Sequence, residues 1–356
     1  MSWPSATWGA CLPSLKSKPL AAVFGCLGLE LTAEERAFFS ESNPLGFILF
    51  QRNCDTPDQV RALVDALRDA VGRADAPVMI DQEGGRVARL KPPHWPEFPA
   101  AKAFADLYAD HQNQGVEAST LGGRLIAHEL AQLGITIDCA PVLDVPQPGA
   151  DPIIGDRAFG ADVATISVLA KAFMTGLMKG GVAPIIKHIP GHGRALVDSH
   201  KDLPLVEASR EDLQNTDFVP FRTLHMAAWA MTAHVVYSAL DSEHPATLSP
   251  SVIHEVIRKQ IGFQGVLVSD DLSMKALSGD FAERARASLE AGCDVALHCN
   301  GDLEEMVQVA HGASQMTRAA WSRYKLGELH RTTAAQPFET DAERTEARRR
   351  FDTLLG

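Results

Sequence analysis

Eight strand-length apolar runs alternate with helical patterns, and polar residues directly follow most of the runs. Together these predict a single-domain α/β protein of the (β/α)8 TIM-type barrel class. A doubly wound open sheet would show the same alternation, but only the strand ends near its switch point would meet. In a closed barrel all the strand ends converge on one mouth.

The runs, in order, are Ala21–Cys26, Phe47–Phe50, Pro77–Ile80, Thr136–Cys139 continuing into Pro141–Leu143, Val182–Ile186, Ala228–Ala233, Val266–Val268 and Asp294–Leu297. A strand covered on both faces reads as a continuous apolar run, which is how most of these read. Between them lie stretches with apolar residues at helical spacing: Thr56–Val71, Gly115–Leu133, Thr165–Met178, Arg210–Ala227, Pro250–Ile261, Phe281–Ala291 and Leu303–Val309. Thr56 is placed as an N-cap, with Asp58 in the first turn behind it. The loops at 91–103 and 144–160 are long and rich in Pro and Gly, as functional loops are. Residues 1–18 are expected to be an N-terminal extension, 19–335 the (β/α)8 barrel, and 336–356 a helical tail packed on it.

With 356 residues, 46% of them apolar, the chain can bury a large core. The net charge of -12, without a basic face, speaks against a nucleic-acid partner. The apolar stretch Leu20–Leu31 is too short to span a bilayer, so no membrane partner and a cytoplasmic location are expected. Six scattered cysteines with no CxxC pair read as reduced thiols.

Polar residues gather where strands end. Val268-Ser269-Asp270-Asp271 closes one run with two acids. Side chains alternate along a strand, so one acid should face the mouth and the other should cap the next turn or face away. Lys187 and His188 leave another run and enter the loop Pro190-Gly191-His192-Gly193, and a lysine there is costly to bury unless it meets a ligand or a partner. Asp198 and His200 follow in the same loop, where the acid can orient the ring for proton transfer. Asp81, Arg89 and Arg157 lie in Asp81–Arg89 and Gly155–Gly160, whose carboxylates and guanidiniums suit vicinal hydroxyls or one another.

These motifs, KHIPGHG with DSHKDLP, VSDDLSM, DQEGGRVARL and GDRAFG, resemble the family 3 glycoside hydrolases, and most closely their single-domain bacterial β-N-acetylglucosaminidases. The resemblance runs from about Ala21 to Leu303. It implies a retaining mechanism with Asp270 as nucleophile, His200 as acid/base and Asp198 as its partner. It further implies that Asp81, Arg89, Arg157, Lys187 and His188 bind the sugar. The substrate implied is a muropeptide of the GlcNAc-1,6-anhydro-MurNAc type, cleaved during peptidoglycan recycling. No metal or other cofactor is expected, and the expected state is a monomer. Ile189 stands where the family often has Phe, and Arg194-Ala195 where it often has Asp-Thr.

Besides a non-catalytic sugar-binding sensor built on the same barrel, three alternatives remain open. His188, His192, His200 and His234 with Asp270 could ligate zinc in a metal-dependent barrel hydrolase. Phosphate could replace water, because a neutral histidine does not repel an anion. Asp270 and Asp271 could instead orient the acetamido group of the sugar as nucleophile. His234, Met274 and Arg86 are further candidates without assigned roles.

Overall fold

The structure, a computed structural model, describes residues 18–356, so most of the expected N-terminal extension and Cys11 lie outside the described residues. Eight parallel strands close into one barrel: β1 (Leu20–Phe24), β2 (Pro44–Leu49), β3 (Val78–Ile80), β4 (Ile137–Asp138), β5 (Ala183–Ile189), β6 (Trp229–Thr232), β7 (Val266–Asp271) and β8 (Val295–His298). Each pairs with its neighbours in chain order, and β1 closes on β8 through Phe24 opposite His298. Every predicted apolar run has become a barrel strand.

Alternation along the strands separates two cores. Ala21, Val23, Met79, Ala183, Ile185, Trp229, Val266, Val268, Val295 and Leu297 fill the barrel interior. Their sequence neighbours, including Ala22, Phe24, Val78, Ile186 and Leu267, face the surrounding helices. Burying an apolar side chain of this size contributes roughly 1.5–3 kcal/mol.

The covering helices are α1 (Ala33–Ser42), α2 (Pro57–Val71), α3 (Ala101–Asp110), α4 (Gln112–Gln132), α5 (Val163–Lys179), α6 (Arg210–Asn215), α7 (Phe218–Thr223), α8 (Phe281–Ala291), α9 (Leu303–Gly312), α10 (Arg318–Ala334) and α11 (Asp341–Leu355). Thr56 caps α2 as expected, its side chain accepting from Gln59 N. The single helix expected over 210–227 is two short helices broken at Thr216–Asp217, and Val252–Ile261 is a π-helix. Met316, Ala320 and Tyr324 join the interior cluster, with Tyr324 edge-on to Trp229, so α10 seals the bottom of the barrel. Phe351 of α11 packs against Phe98 and Phe104.

Five described cysteines are free thiols. Burial pushes Cys26, Cys54 and Cys293 up to about 12, which makes them poor nucleophiles. No described helix is long and apolar enough to cross a membrane.

Candidate active site

The inward row of the barrel does not stop at the apolar core. Two residues beyond Met79 comes Asp81, two beyond Ile185 comes Lys187, and two beyond Val268 comes Asp270. All three line one cavity of about 230 Å³ at the barrel mouth. Arg89, Arg157, His188 and His200 line it too, so the structure brings seven of the eight candidate residues to one cavity. The eighth, Asp198, stands behind His200 and is joined to it. Arg86, His192 and Phe50 also face the cavity.

His188 breaks the alternation, because strict period two would turn it away from Lys187. The pairing of β5 with β6 shifts register between Lys187 and Ile189, and that of β7 with β8 shifts between Val268 and Asp271. Bulges of this kind re-aim side chains at strand ends.

A chain of charges crosses the floor. Arg89 Nη2 donates to Asp81 Oδ2 at 3.0 Å, and Lys187 Nζ meets Asp81 Oδ1 at 2.9 Å and Glu83 Oε1 at 2.7 Å. Arg157 then grips Glu83 with a fork of two 2.8 Å bonds. Burial opposes the charges on Asp81 and Glu83. Lys187 with Arg89 or Arg157 outweighs it, holding Asp81 far below the carboxylate range and Glu83 at about 2. Glu83 lies inside the DQEGGRVARL motif, yet it is not among the residues that the sequence singles out. A signal for it exists: two cations entering a buried site need more than one carboxylate.

Removing Glu83 would leave Lys187 and Arg157 short of a partner. Glu83→Ala is expected to lower unfolding free energy by about 3–5 kcal/mol in urea titrations, and a loss below ~1 kcal/mol would contradict the network. The pH dependence has a definite sign. Folding depresses both carboxyl pKa values from 3.8 and 4.5, so their stabilisation is full above those values and is lost as pH falls through about 2 for Glu83 and lower still for Asp81. Glu83→Ala should therefore flatten the acid limb of the stability profile.

Asp270 Oδ1 accepts the Asp271 N–H at 2.8 Å. Burial works against its charge, but nearby His188, His234 and that N–H hold the carboxyl below its ordinary value. His234 is itself pushed down by burial. The second acid also lines the cavity, but its carboxylate is engaged by the frame of the site. Asp271 accepts from Ser273 N and Oγ and from Cys299 N, tying β7 to the end of β8.

His200 Nδ1 lies 2.8 Å from Asp198 Oδ1, which also accepts the His200 N–H at 2.9 Å. Those bonds outweigh burial and keep Asp198 below its ordinary pKa. The His200 side chain is 64% exposed, so it stands at the solvent edge of the cavity. Asp144, which directly follows the run Pro141–Leu143, is fully buried. It accepts from His188 Nδ1 at 2.7 Å and His192 N at 2.6 Å, and so orients His188 toward the cavity.

The zinc arrangement would need four histidines to converge with Asp270. His234 uses both ring nitrogens, on Thr247 Oγ1 and Asp271 O, and lies outside the cavity lining, as does Met274. Among the described residues no three His, Cys, Asp or Glu side chains form a group placed to hold a metal ion.

Residues 16–323 match the profile of the glycosyl hydrolase family 3 N terminal domain. A beta-hexosaminidase of Alkalilimnicola ehrlichii is 40% identical over 282 residues, covering 78% of this chain and 80% of the relative. One from Thiobacillus denitrificans is 36% identical over 317 residues, covering 88% and 87%. The crystal structure of NagZ from Neisseria gonorrhoeae in complex with N-trifluoroacetyl-D-glucosamine superposes with a TM-score of 0.84 at 30% identity, covering 96% of this chain and 99% of that one.

Proposed function

This chain belongs to glycosyl hydrolase family 3 and is a glycoside hydrolase, and from that premise we propose that it is a retaining exo-β-N-acetylglucosaminidase. The observation that carries the reading is a single small cavity holding an ionised, inward-facing Asp270 together with an Asp198-held His200 and a floor of charged hydrogen-bonding groups. A cavity of about 230 Å³ suits one terminal sugar ring better than a run of them, in keeping with exo action.

Asp270 attacks the anomeric carbon while His200 gives its proton to the leaving oxygen, forming a glycosyl-enzyme. His200 then takes a proton from water, which displaces the sugar from Asp270. Asp198 stabilises the imidazolium. Asp81, Arg89, Arg157, Lys187 and His188 hold the sugar hydroxyls, Lys187 and the guanidiniums donating and Asp81 accepting. The proposed natural substrate is a muropeptide carrying terminal N-acetylglucosamine, released during peptidoglycan recycling in the cytoplasm. The names of the relatives, beta-hexosaminidases, support the N-acetylhexosamine, and the muropeptide and its recycling rest on the family resemblance alone. The protein is proposed to act as a monomer, with no nucleic-acid or membrane partner.

An aryl N-acetyl-β-glucosaminide should be cleaved with kcat/KM at least about 100-fold above the matching β-glucoside, as expected when a site hydrogen-bonds a group that the poorer substrate lacks. Equal rates would overturn the acetamido specificity. The release of sugar phosphate when phosphate is added would favour phosphorolysis over hydrolysis. Loss of activity in chelator would restore the metal reading.

A further inference from the structure

The loop that carries His200 is fastened unevenly. Its first limb, 190–195, is clamped from both sides. Tyr237 Oη donates to Gly191 O at 2.7 Å, Gln147 N to Gly193 O at 2.9 Å, and Asp151 N to Ala195 O at 2.8 Å. A Cβ on Gly193 would fall 2.1 Å from Val145 O, so only glycine admits this approach. The second limb, 196–203, is loose. Among the described residues two hydrogen bonds, both to Ser199, join it to the rest of the protein: His192 Nε2 to Ser199 Oγ at 3.2 Å, and Ala276 N to Ser199 O at 3.3 Å. Leu196 is 67% exposed at its start. Beyond it the chain is held again where Val236 N donates to Pro204 O at 2.9 Å.

Arg194 stands at the boundary between the limbs, where the sequence departs from the family pattern. Its Nε donates to Asp217 Oδ2 and its Nη2 to Thr216 Oγ1, both at 2.7 Å. The Asp217 side chain is fully buried, at the break between α6 and α7. No other described side chain of the first limb makes an ion pair to a neighbouring element.

We propose that Arg194, clamped to Asp217 and Thr216, is a positioning residue that fixes the hinge from which the loose limb presents His200 to the cavity. This rests on His200 being the acid/base. His200 lies six residues beyond the hinge, so slack at Arg194 spreads the ring over more positions and lowers the fraction of molecules with the acid in place. A misplaced acid matters most when the leaving oxygen cannot depart without a proton.

The test is kcat/KM for aryl N-acetyl-β-glucosaminides whose phenols span poor to good leaving groups, with wild type and Arg194→Gln. The expected result is a loss of about tenfold or more on the poorest leaving group and under about twofold on the dinitrophenyl glycoside. The ratio of the two does not depend on how much of the variant is folded. Thr216→Val, which removes the contact to Arg194 Nη2 and the Thr216 bond to Asp217 Oδ2 but keeps the Arg194–Asp217 ion pair, should show the same pattern more weakly, and serves if Arg194→Gln does not fold. Equal losses on both substrates, or none, would overturn the proposal. If wild type cleaves none of the glycosides, the acid/base reading beneath it falls instead.

Discussion

Replacing Asp270 with alanine should lower kcat/KM on an aryl N-acetyl-β-glucosaminide by on the order of 10⁵, a loss typical of a deleted nucleophile. The strand Val266–Asp271 keeps its inward row of Val266 and Val268, so the fold should survive and the variant should still bind the sugar product. No neighbour can take over the attack. Asp271 is held by Ser273 and by Cys299 N, and Asp81 is held by Lys187 and Arg89. Asp270→Asn should be nearly as inactive, because the amide keeps the shape and loses the charge. Activity within about tenfold of wild type in either variant would contradict a nucleophilic role.

The second large effect concerns His200. His200→Ala should lower kcat/KM on poor leaving groups by roughly 10²–10⁴, the usual range for a general acid, while activated dinitrophenyl substrates are nearly spared. Their slow step becomes hydrolysis of the glycosyl-enzyme, because the base that activates water is missing too. A burst of phenol followed by slow turnover is therefore expected. Asp198→Ala should share this pattern at smaller amplitude, since it leaves the ring in place but removes the 2.8 Å bond that orients it. A uniform loss across leaving groups would show that His200 only binds substrate.

The barrel was legible because parallel strands buried on both faces cannot hide their apolar runs. The helices were less so. In α1, Ala33–Ser42, the two phenylalanines are adjacent rather than helically spaced, so periodicity missed it, although its capping box of Thr32 and Glu35 could be read. Arg210–Ala227 has a helical pattern throughout, yet the chain breaks where buried Asp217 turns toward Arg194, a partner 23 residues earlier that no local pattern announces. Asp81, Lys187 and Asp270 could be picked out as polar residues at the ends of apolar runs, and in the structure each continues an inward row of the barrel. Glu83 could not, because it sits in a two-stranded ribbon, Gln82–Gly84 with Val87–Ala88, outside the barrel rows. His234 and Met274 were further candidates without assigned roles. The first was turned away by bonds to Thr247 and Asp271, and neither lines the cavity.

Everything proposed for the chemistry turns on a covalent sugar at Asp270. It can be sought directly by mass spectrometry of a proteolytic digest, after the enzyme has been inactivated with a slow mechanism-based fluorosugar substrate. A retaining mechanism through Asp270 predicts one added sugar mass, on the peptide that contains Asp270, and none on Asp270→Ala. An active enzyme that never accumulates an adduct, or one labelled on another residue, would contradict it.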